Sequence, residues 1–197
     1  MISLIRVSTC LLVLSTLLFA GSAYAQSIRI VALGDSNTAG FGVARQEAFP
    51  AQLEALLRTI GYDAQVLNAG ISGDTTSGML ARLDFAAPQG TQIVIVQGGH
   101  NDLQRGSSPA AIMANVEAIL ARLRARRTRV VLCGFYDQPW GAIARRYGAT
   151  FVSGGRCYDA NYRGFDGLHM NATGHQVVAA RLLPVVLRLL APPARRG

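Results

Sequence analysis

A serine, a histidine and an aspartate stand in short blocks that together fit acyl-transfer chemistry. Ser36 closes the sequence Gly34-Asp35-Ser36, and Asp166 precedes His169 by three residues. A serine hydroxyl attacks a carbonyl when an imidazole accepts its proton, and a carboxylate fixes the tautomer of that imidazole. We therefore interpret Ser36 as nucleophile, His169 as base and Asp166 as the orienting acid. Each block alone has a simpler explanation. Gly-Asp-Ser is also typical of a helix cap, and His169 could be an imidazole that caps a helix or is buried in the core.

Two further blocks offer hydrogen-bond donors for a negatively charged oxygen. Gly73 lies in the glycine-rich stretch Asn68–Thr76, where a backbone without a Cβ can approach a ligand closely. Asn101 lies in Gly99–Asp102, and its amide can donate to an oxyanion. The backbone N–H of Ser36, the N–H of Gly73 and the side chain of Asn101 are thus the candidate oxyanion hole. Ordinary glycine and asparagine turns would look similar.

Alternating strands and helices predict how these blocks are positioned. The predicted strands are Ile28–Leu33, Gln65–Leu67, Gln92–Gln97, Arg129–Leu132 and Thr150–Val152. The predicted helices are Ala48–Ile60, Ser77–Phe85, Pro109–Arg126, Trp140–Tyr147 and Thr173–Leu190, the last with Thr173 as its cap. Parallel strands need helical crossovers, so the pattern predicts an α/β fold with a five-stranded, mostly parallel sheet. All four blocks then open at the carboxyl edge of the sheet, where such folds bind ligands.

These blocks resemble those of the SGNH (GDSL) hydrolase superfamily, and they occur in the family's order. The segments LGDSNTAG, NAGISGDTT and GHND are similar to a branch of periplasmic acyl thioesterases, lysophospholipases and arylesterases, and the resemblance spans about residues 30–183. It implies a flavodoxin-like three-layer α/β/α sandwich, with Ser36, Asp166 and His169 as triad and Ser36, Gly73 and Asn101 as oxyanion hole. It also implies a serine esterase that hydrolyses carboxylic esters or thioesters without a cofactor.

The sequence departs from that branch in two places. Met170 follows His169 where the branch usually has proline, and the segment between the fourth strand and Asp166 is short, with only Trp140–Tyr147 predicted helical. In the branch this region shapes the acyl pocket, so a small acyl group or an acetylated sugar fits the shortened segment. A carbohydrate O-deacetylase and a non-catalytic envelope binding protein on the same fold are the alternative functions.

The first residues are typical of an export signal. Met1–Arg6 carries one positive charge, Val7–Ala20 is almost wholly apolar, and Ala23-Tyr24-Ala25 has the small residues of a cleavage site. We predict a signal peptide over residues 1–25, one hydrolase domain over 26–197, and a periplasmic or secreted protein with no stable membrane anchor. In an oxidising compartment Cys133 and Cys157 would form a disulfide, although both also fit buried thiols.

The charge and the number of histidines indicate which binding partners to expect. The net charge is +8, with a dense group of arginines over residues 122–129 that contains no aromatic residue, so we interpret it as the solvated end of a helix and expect no nucleic-acid partner. With only three histidines and no metal-binding motif we expect no metal. We expect neither His100 nor His175 to be the base, and His175 to face outward from the closing helix. The expected partner is a small-molecule or lipid ester bound by a monomer.

Overall fold

Five parallel strands form the central sheet of the protein. The computed structural model describes residues 27–134, 139–153 and 157–191. The strands are β1 (Ile28–Gly34), β2 (Ala64–Gly70), β3 (Ile93–Val96), β4 (Arg129–Cys133) and β5 (Thr150–Val152), in the spatial order β2-β1-β3-β4-β5. Every neighbouring pair is parallel, as the sequence predicts. The direction of the connections reverses between β1 and β3, which opens a crevice at their carboxyl ends.

Helices cover both faces of this sheet. In chain order they are α1 (Ser36–Ala39), α2 (Phe49–Thr59), α3 (Thr76–Ala81), α4 (Leu83–Ala86), α5 (His100–Gln104), α6 (Pro109–Ala125), α7 (Trp140–Tyr147) and α8 (Ala172–Leu190). Short 3₁₀ helices lie at Arg45–Glu47 and Ala160–Tyr162. Helices α2 and α8 pack on one face, and α3, α4, α6 and α7 on the other. The three-layer α/β/α sandwich of the prediction is confirmed.

Strand β1 shows why the strand segments of this sequence are largely apolar. Ile30 and Ala32 face the layer of α2 and α8, while Val31 and Leu33 face the opposite layer. All four side chains are fully buried. A parallel strand covered on both faces has no solvated side, so it is apolar throughout rather than alternating.

The predictions erred at several element ends. Strand β2 extends to Gly70 because it pairs with β1 over its whole length, from Ala64 opposite Ile28 to Gly70 opposite Gly34. The predicted helix 77–85 is two helices that meet at Arg82. The cap of α8 is Asn171, whose side chain accepts a hydrogen bond from the Gly174 N–H, and not Thr173.

A disulfide joins Cys133, at the end of β4, to Cys157, with the two Cα atoms 5.9 Å apart. It ties the sheet to the segment that leads toward Asp166. Within the described ranges no helix is long and apolar enough to span a membrane. The predicted signal peptide lies outside the described residues.

Candidate functional site

Ser36 lies where β1 ends and α1 begins. Gly34 is the last strand residue, and a Cβ there would come within 2.1 Å of the Thr38 hydroxyl, so only glycine fits. Asp35 caps α1 by accepting a hydrogen bond from the Asn37 N–H at 3.0 Å. This strand-to-helix turn puts Ser36, the first helical residue, at the carboxyl edge of the sheet.

The aspartate before Ser36 is buried and held by a residue that the sequence analysis missed. The Gln97 amide nitrogen donates to the Asp35 carboxylate at 2.9 Å, and the Gln97 amide oxygen accepts from the Thr38 hydroxyl at 2.5 Å. Burial raises the pKa of the Asp35 carboxyl, although the bond from Gln97 opposes that effect. Gln97 therefore fixes both sides of Ser36. Its signal in the sequence is an amide at the end of an apolar strand.

His169 and Asp166 complete a continuous hydrogen-bonded relay with Ser36. The Nε2 atom of His169 lies 2.8 Å from the Ser36 hydroxyl oxygen, and its Nδ1 atom lies 2.5 Å from a carboxylate oxygen of Asp166. The other carboxylate oxygen accepts the backbone N–H groups of Leu168 and His169, at 3.0 and 2.9 Å. The bond from the imidazole, followed by these backbone bonds, holds the pKa of Asp166 well below its usual range. Asp166 is thus ionised and oriented toward the imidazole at neutral pH.

Backbone pairing holds the loop that carries this pair. The Gly164 N–H donates to the His169 carbonyl at 2.7 Å, and Arg163 forms an antiparallel bridge with Met170. Met170 is buried, so its side chain anchors the loop in the apolar layer next to α8. On the other side the Phe41 ring lies against the imidazole, with 4.5 Å between ring centroids. The imidazole is therefore restrained by its neighbours as well as by Asp166.

Gly73 and Asn101 lie close together and line the same cavity as His169. Gly73 occupies a tight turn that the Asp74 N–H closes on the Ile71 carbonyl at 3.0 Å, and its φ of 78° is in the left-handed region that favours glycine. Asn101, in α5, donates its amide to the Asp74 carbonyl at 2.9 Å. An amide nitrogen has two N–H groups, so one remains to point at a ligand.

One cavity of about 740 Å³ joins the predicted residues. Ser36, Gly73, Asn101 and His169 all line it, and Asp166 binds His169 from behind. Its other walls include two apolar side chains and a cation: Phe41, Leu168 and Arg163. The structure thus brings together all five residues that the sequence analysis selected. A hydroxyl bound to an imidazole that a carboxylate holds, together with residues that carry N–H groups in the wall of the same cavity, is an arrangement that can perform acyl transfer.

The other two histidines lie in different surroundings. His100 lines the cavity at the start of α5. The prediction that His175 faces outward is wrong: its side chain is fully buried against α2 and accepts a hydrogen bond from the Phe49 N–H at 3.2 Å. It lies on the same helical stripe as Val178 and Ala179, which carry it into the core. Among the described residues, no group of histidine, cysteine and acidic side chains is placed to hold a metal ion.

Comparisons with known proteins agree with this geometry. The model of the GDSL-like lipase/acylhydrolase family matches residues 32–177. Esterase TesA of Pseudomonas aeruginosa is 36% identical over 144 residues, which cover 70% of this chain and 71% of that protein. The arylesterase of Vibrio mimicus is 35% identical over 137 residues, covering 68% of each. The crystal structure of AlinE4, an SGNH-hydrolase family esterase, superposes with a TM-score of 0.65 at 32% identity over 85% of this chain and 98% of that one. The chain belongs to the GDSL-like lipase/acylhydrolase family.

Proposed function

We propose that the protein hydrolyses carboxylic esters or thioesters through an acyl-enzyme formed on Ser36. The observation that carries this proposal is the relay from Ser36 through His169 to Asp166, with contacts of 2.8 and 2.5 Å. His169 accepts the hydroxyl proton as the Ser36 oxygen attacks the carbonyl carbon. The same proton then passes to the leaving alcohol or thiol, which departs as the acyl-enzyme forms.

A second, symmetrical step releases the acid. Water enters the cavity, His169 takes its proton, and the hydroxide attacks the acyl carbon. The proton returns to the Ser36 oxygen as the carboxylic acid leaves. Asp166 stays ionised throughout and stabilises the imidazolium.

Three donors would stabilise the negative oxygen in both steps. These are the backbone N–H groups of Ser36 and Gly73 and the second amide N–H of Asn101. All three residues line the same cavity as His169, which supports this role. Removing one such donor from a serine hydrolase costs about 10²–10³ in kcat.

The cavity supports an ester of moderate size as substrate. Its volume of about 740 Å³ is in the range that holds a drug-sized ligand, so it accommodates an acyl group together with a leaving group. Phe41 and Leu168 offer apolar surface. The relatives' names cover esterase and arylesterase activities, which fits a carboxylic ester.

The direct test compares the wild type with Ser36→Ala on p-nitrophenyl acetate and longer p-nitrophenyl esters. We expect Ser36→Ala to lose at least about 10³-fold in kcat, because the covalent step needs the hydroxyl. Ser153→Ala, the same change at an exposed serine at the end of β5, is the matched control and should keep full activity. Equal turnover by wild type and Ser36→Ala would overturn the mechanism. A fluorophosphonate probe should label the wild type and spare Ser36→Ala; failure to label the wild type would favour the non-catalytic binding protein.

We also propose that the protein is exported and cleaved after Ala25. The order of charged, apolar and small residues over 1–25 and the Cys133–Cys157 disulfide both support an oxidising compartment outside the cytoplasm. N-terminal sequencing of the protein from fractionated cells should give Gln26 as the first residue. A cytoplasmic protein that keeps residues 1–25 would overturn this proposal.

A further inference from the structure

Helix α5 binds two consecutive carbonyl groups of the turn that carries Gly73. The Asn101 amide donates to the Asp74 carbonyl at 2.9 Å, and the Arg105 guanidinium donates to the Gly73 carbonyl at 2.8 Å. Asn101 and Arg105 are four residues apart, so they lie on one face of a helical turn. One helical turn therefore fixes the position of the Gly73 turn relative to the Asn101 side chain, the two parts of the proposed oxyanion hole.

A buried contact fixes the same helix to the chain just beyond the turn. Both carboxylate oxygens of Asp102 accept the Thr76 N–H, at 3.1 and 2.9 Å, and one also accepts the Thr76 hydroxyl at 2.5 Å. Asp102 is almost completely buried, and the Asn115 amide donates to the Thr76 hydroxyl from α6. These contacts anchor Thr76 independently of Arg105. Arg105 is thus the contact that adds restraint at Gly73 itself.

Gly73 needs this restraint because, without a Cβ, its backbone angles are less restricted than those of other residues. With φ at 78°, it sits in the third position of the turn from Ile71 to Asp74. The peptide group between residues 73 and 74 is bound at both ends. Its N–H, from Asp74, donates to the Ile71 carbonyl at 3.0 Å, and its carbonyl, from Gly73, accepts from Arg105 at 2.8 Å. The Arg105 bond therefore fixes the Gly73 carbonyl, and with it the place of the turn beside Asn101.

We propose that Arg105 is a positioning residue for the oxyanion hole, which it preorganises by holding the Gly73 carbonyl. This inference depends on the proposed function of Gly73 as a donor. Arg105 is exposed, and the carboxylate of Asp74, which follows Gly73 in the chain, pairs with Arg82 at 2.8 Å. The Arg105 guanidinium binds a backbone carbonyl, that of Gly73.

The test measures kcat and KM for p-nitrophenyl acetate, an uncharged ester, in Arg105→Met and Arg105→Lys. We expect Arg105→Met to lower kcat roughly tenfold, less than the loss of an oxyanion donor itself, and to leave KM within about twofold. Lysine keeps one donor for the carbonyl without the planar fork, so Arg105→Lys should recover part of the loss. Arg122→Met, at an exposed arginine of α6, is the matched control and should retain the wild-type kcat.

A transition-state analogue gives a readout that a merely structural role would not move. An alkyl boronic acid forms a tetrahedral adduct with the serine, and its affinity should fall by the same factor as kcat/KM in Arg105→Met. An unchanged kcat in Arg105→Met, or a change confined to KM, overturns the inference. Ser36→Ala in the same assay separates the two proposals. Wild-type turnover by Ser36→Ala overturns both, whereas an inactive Ser36→Ala beside a fully active Arg105→Met overturns the positioning role alone.

Discussion

Acidification should weaken the folded state through the buried imidazole of His175. The ring stacks at 6.4 Å from the Phe49 ring, and its Nδ1 atom accepts the Phe49 N–H, so the ring proton resides on Nε2. That Nε2 atom is buried and has no hydrogen-bond partner among the described residues. A second proton would have to bind Nδ1, where it would break the hydrogen bond from the Phe49 N–H and leave a buried charge. Burial accordingly lowers the pKa of His175 to about 4, with Glu47 opposing the shift and His169 adding to it.

The sign and size of the effect follow from that pKa. In the unfolded chain the imidazole takes up a proton near pH 6.5, whereas in the folded protein it stays neutral until about pH 4. The unfolded state thus binds more protons between these values, and the free energy of unfolding falls as the pH falls through them. At roughly 1.4 kcal/mol per pH unit, the loss amounts to about 3 kcal/mol, of which about 2 kcal/mol has occurred by pH 4.5.

Urea unfolding between pH 7 and 4.5 measures this loss, with His175→Asn as the comparison. The asparagine oxygen takes the place of Nδ1 as acceptor for the Phe49 N–H, and the side chain does not titrate. The variant starts from a lower stability because it leaves a small cavity, so the slopes with pH are compared rather than the absolute values. Carboxylates such as Asp166 contribute equally to both proteins. Parallel slopes for wild type and His175→Asn would refute the role assigned to His175.

Three further perturbations test other parts of the structure. Gly73→Ala should lower kcat about 10²-fold by forcing the turn out of the left-handed region. Gly61 has a similar φ, and a Cβ there would have no atom within 4 Å, so Gly61→Ala should affect only stability. Similar kcat values in the two variants would contradict this prediction. Replacing Cys133 and Cys157 with serine should lower the free energy of unfolding by about 3 kcal/mol, measured in urea, since the disulfide joins residues 24 positions apart in the chain. An unchanged urea midpoint would exclude that stabilisation. Arg163→Gln should slow the hydrolysis of 4-acetoxybenzoate, an anion, severalfold more than that of its neutral methyl ester, because the Arg163 guanidinium lines the cavity. Equal slowing of both esters would exclude recognition of the substrate's charge by Arg163.

The sequence predicted the sheet and the site residues because these depend on local patterns. Ile28–Leu33 and Gln92–Gln97 are apolar runs of strand length, and the residue types directly after them mark the carboxyl edge. The sequence alone therefore places Ser36 and Asn101 at one edge of the sheet. His169 and Asp166 were selected from their side-chain chemistry and their spacing of three residues, and the resemblance to the family supported that selection.

What the sequence did not predict depends on partners far along the chain. Gln97 was assigned to a strand, and nothing in its neighbours shows that its amide bridges Asp35 and Thr38, about 60 positions earlier. The predicted helix 77–85 breaks at Arg82, whose side chain contacts Asp74 and the Gly34 carbonyl. His175 was predicted to face outward from its position in the closing helix, yet helical spacing puts it in the buried stripe with Val178. In each case tertiary contacts override the local preference.

The hydrogen bond between Ser36 and His169 joins residues 133 positions apart, near the two ends of the fold. During translation, a nascent chain that already contains Ser36 and the turn at Gly73 still lacks His169. An amino-terminal fragment that ends before His169 lacks the relay. Two fragments divided between β3 and β4 would each be inactive until they associate. Ester hydrolysis by this protein therefore requires that the chain has been synthesised through His169. In a version split into two fragments, the rate of hydrolysis would measure how much of the two fragments has associated.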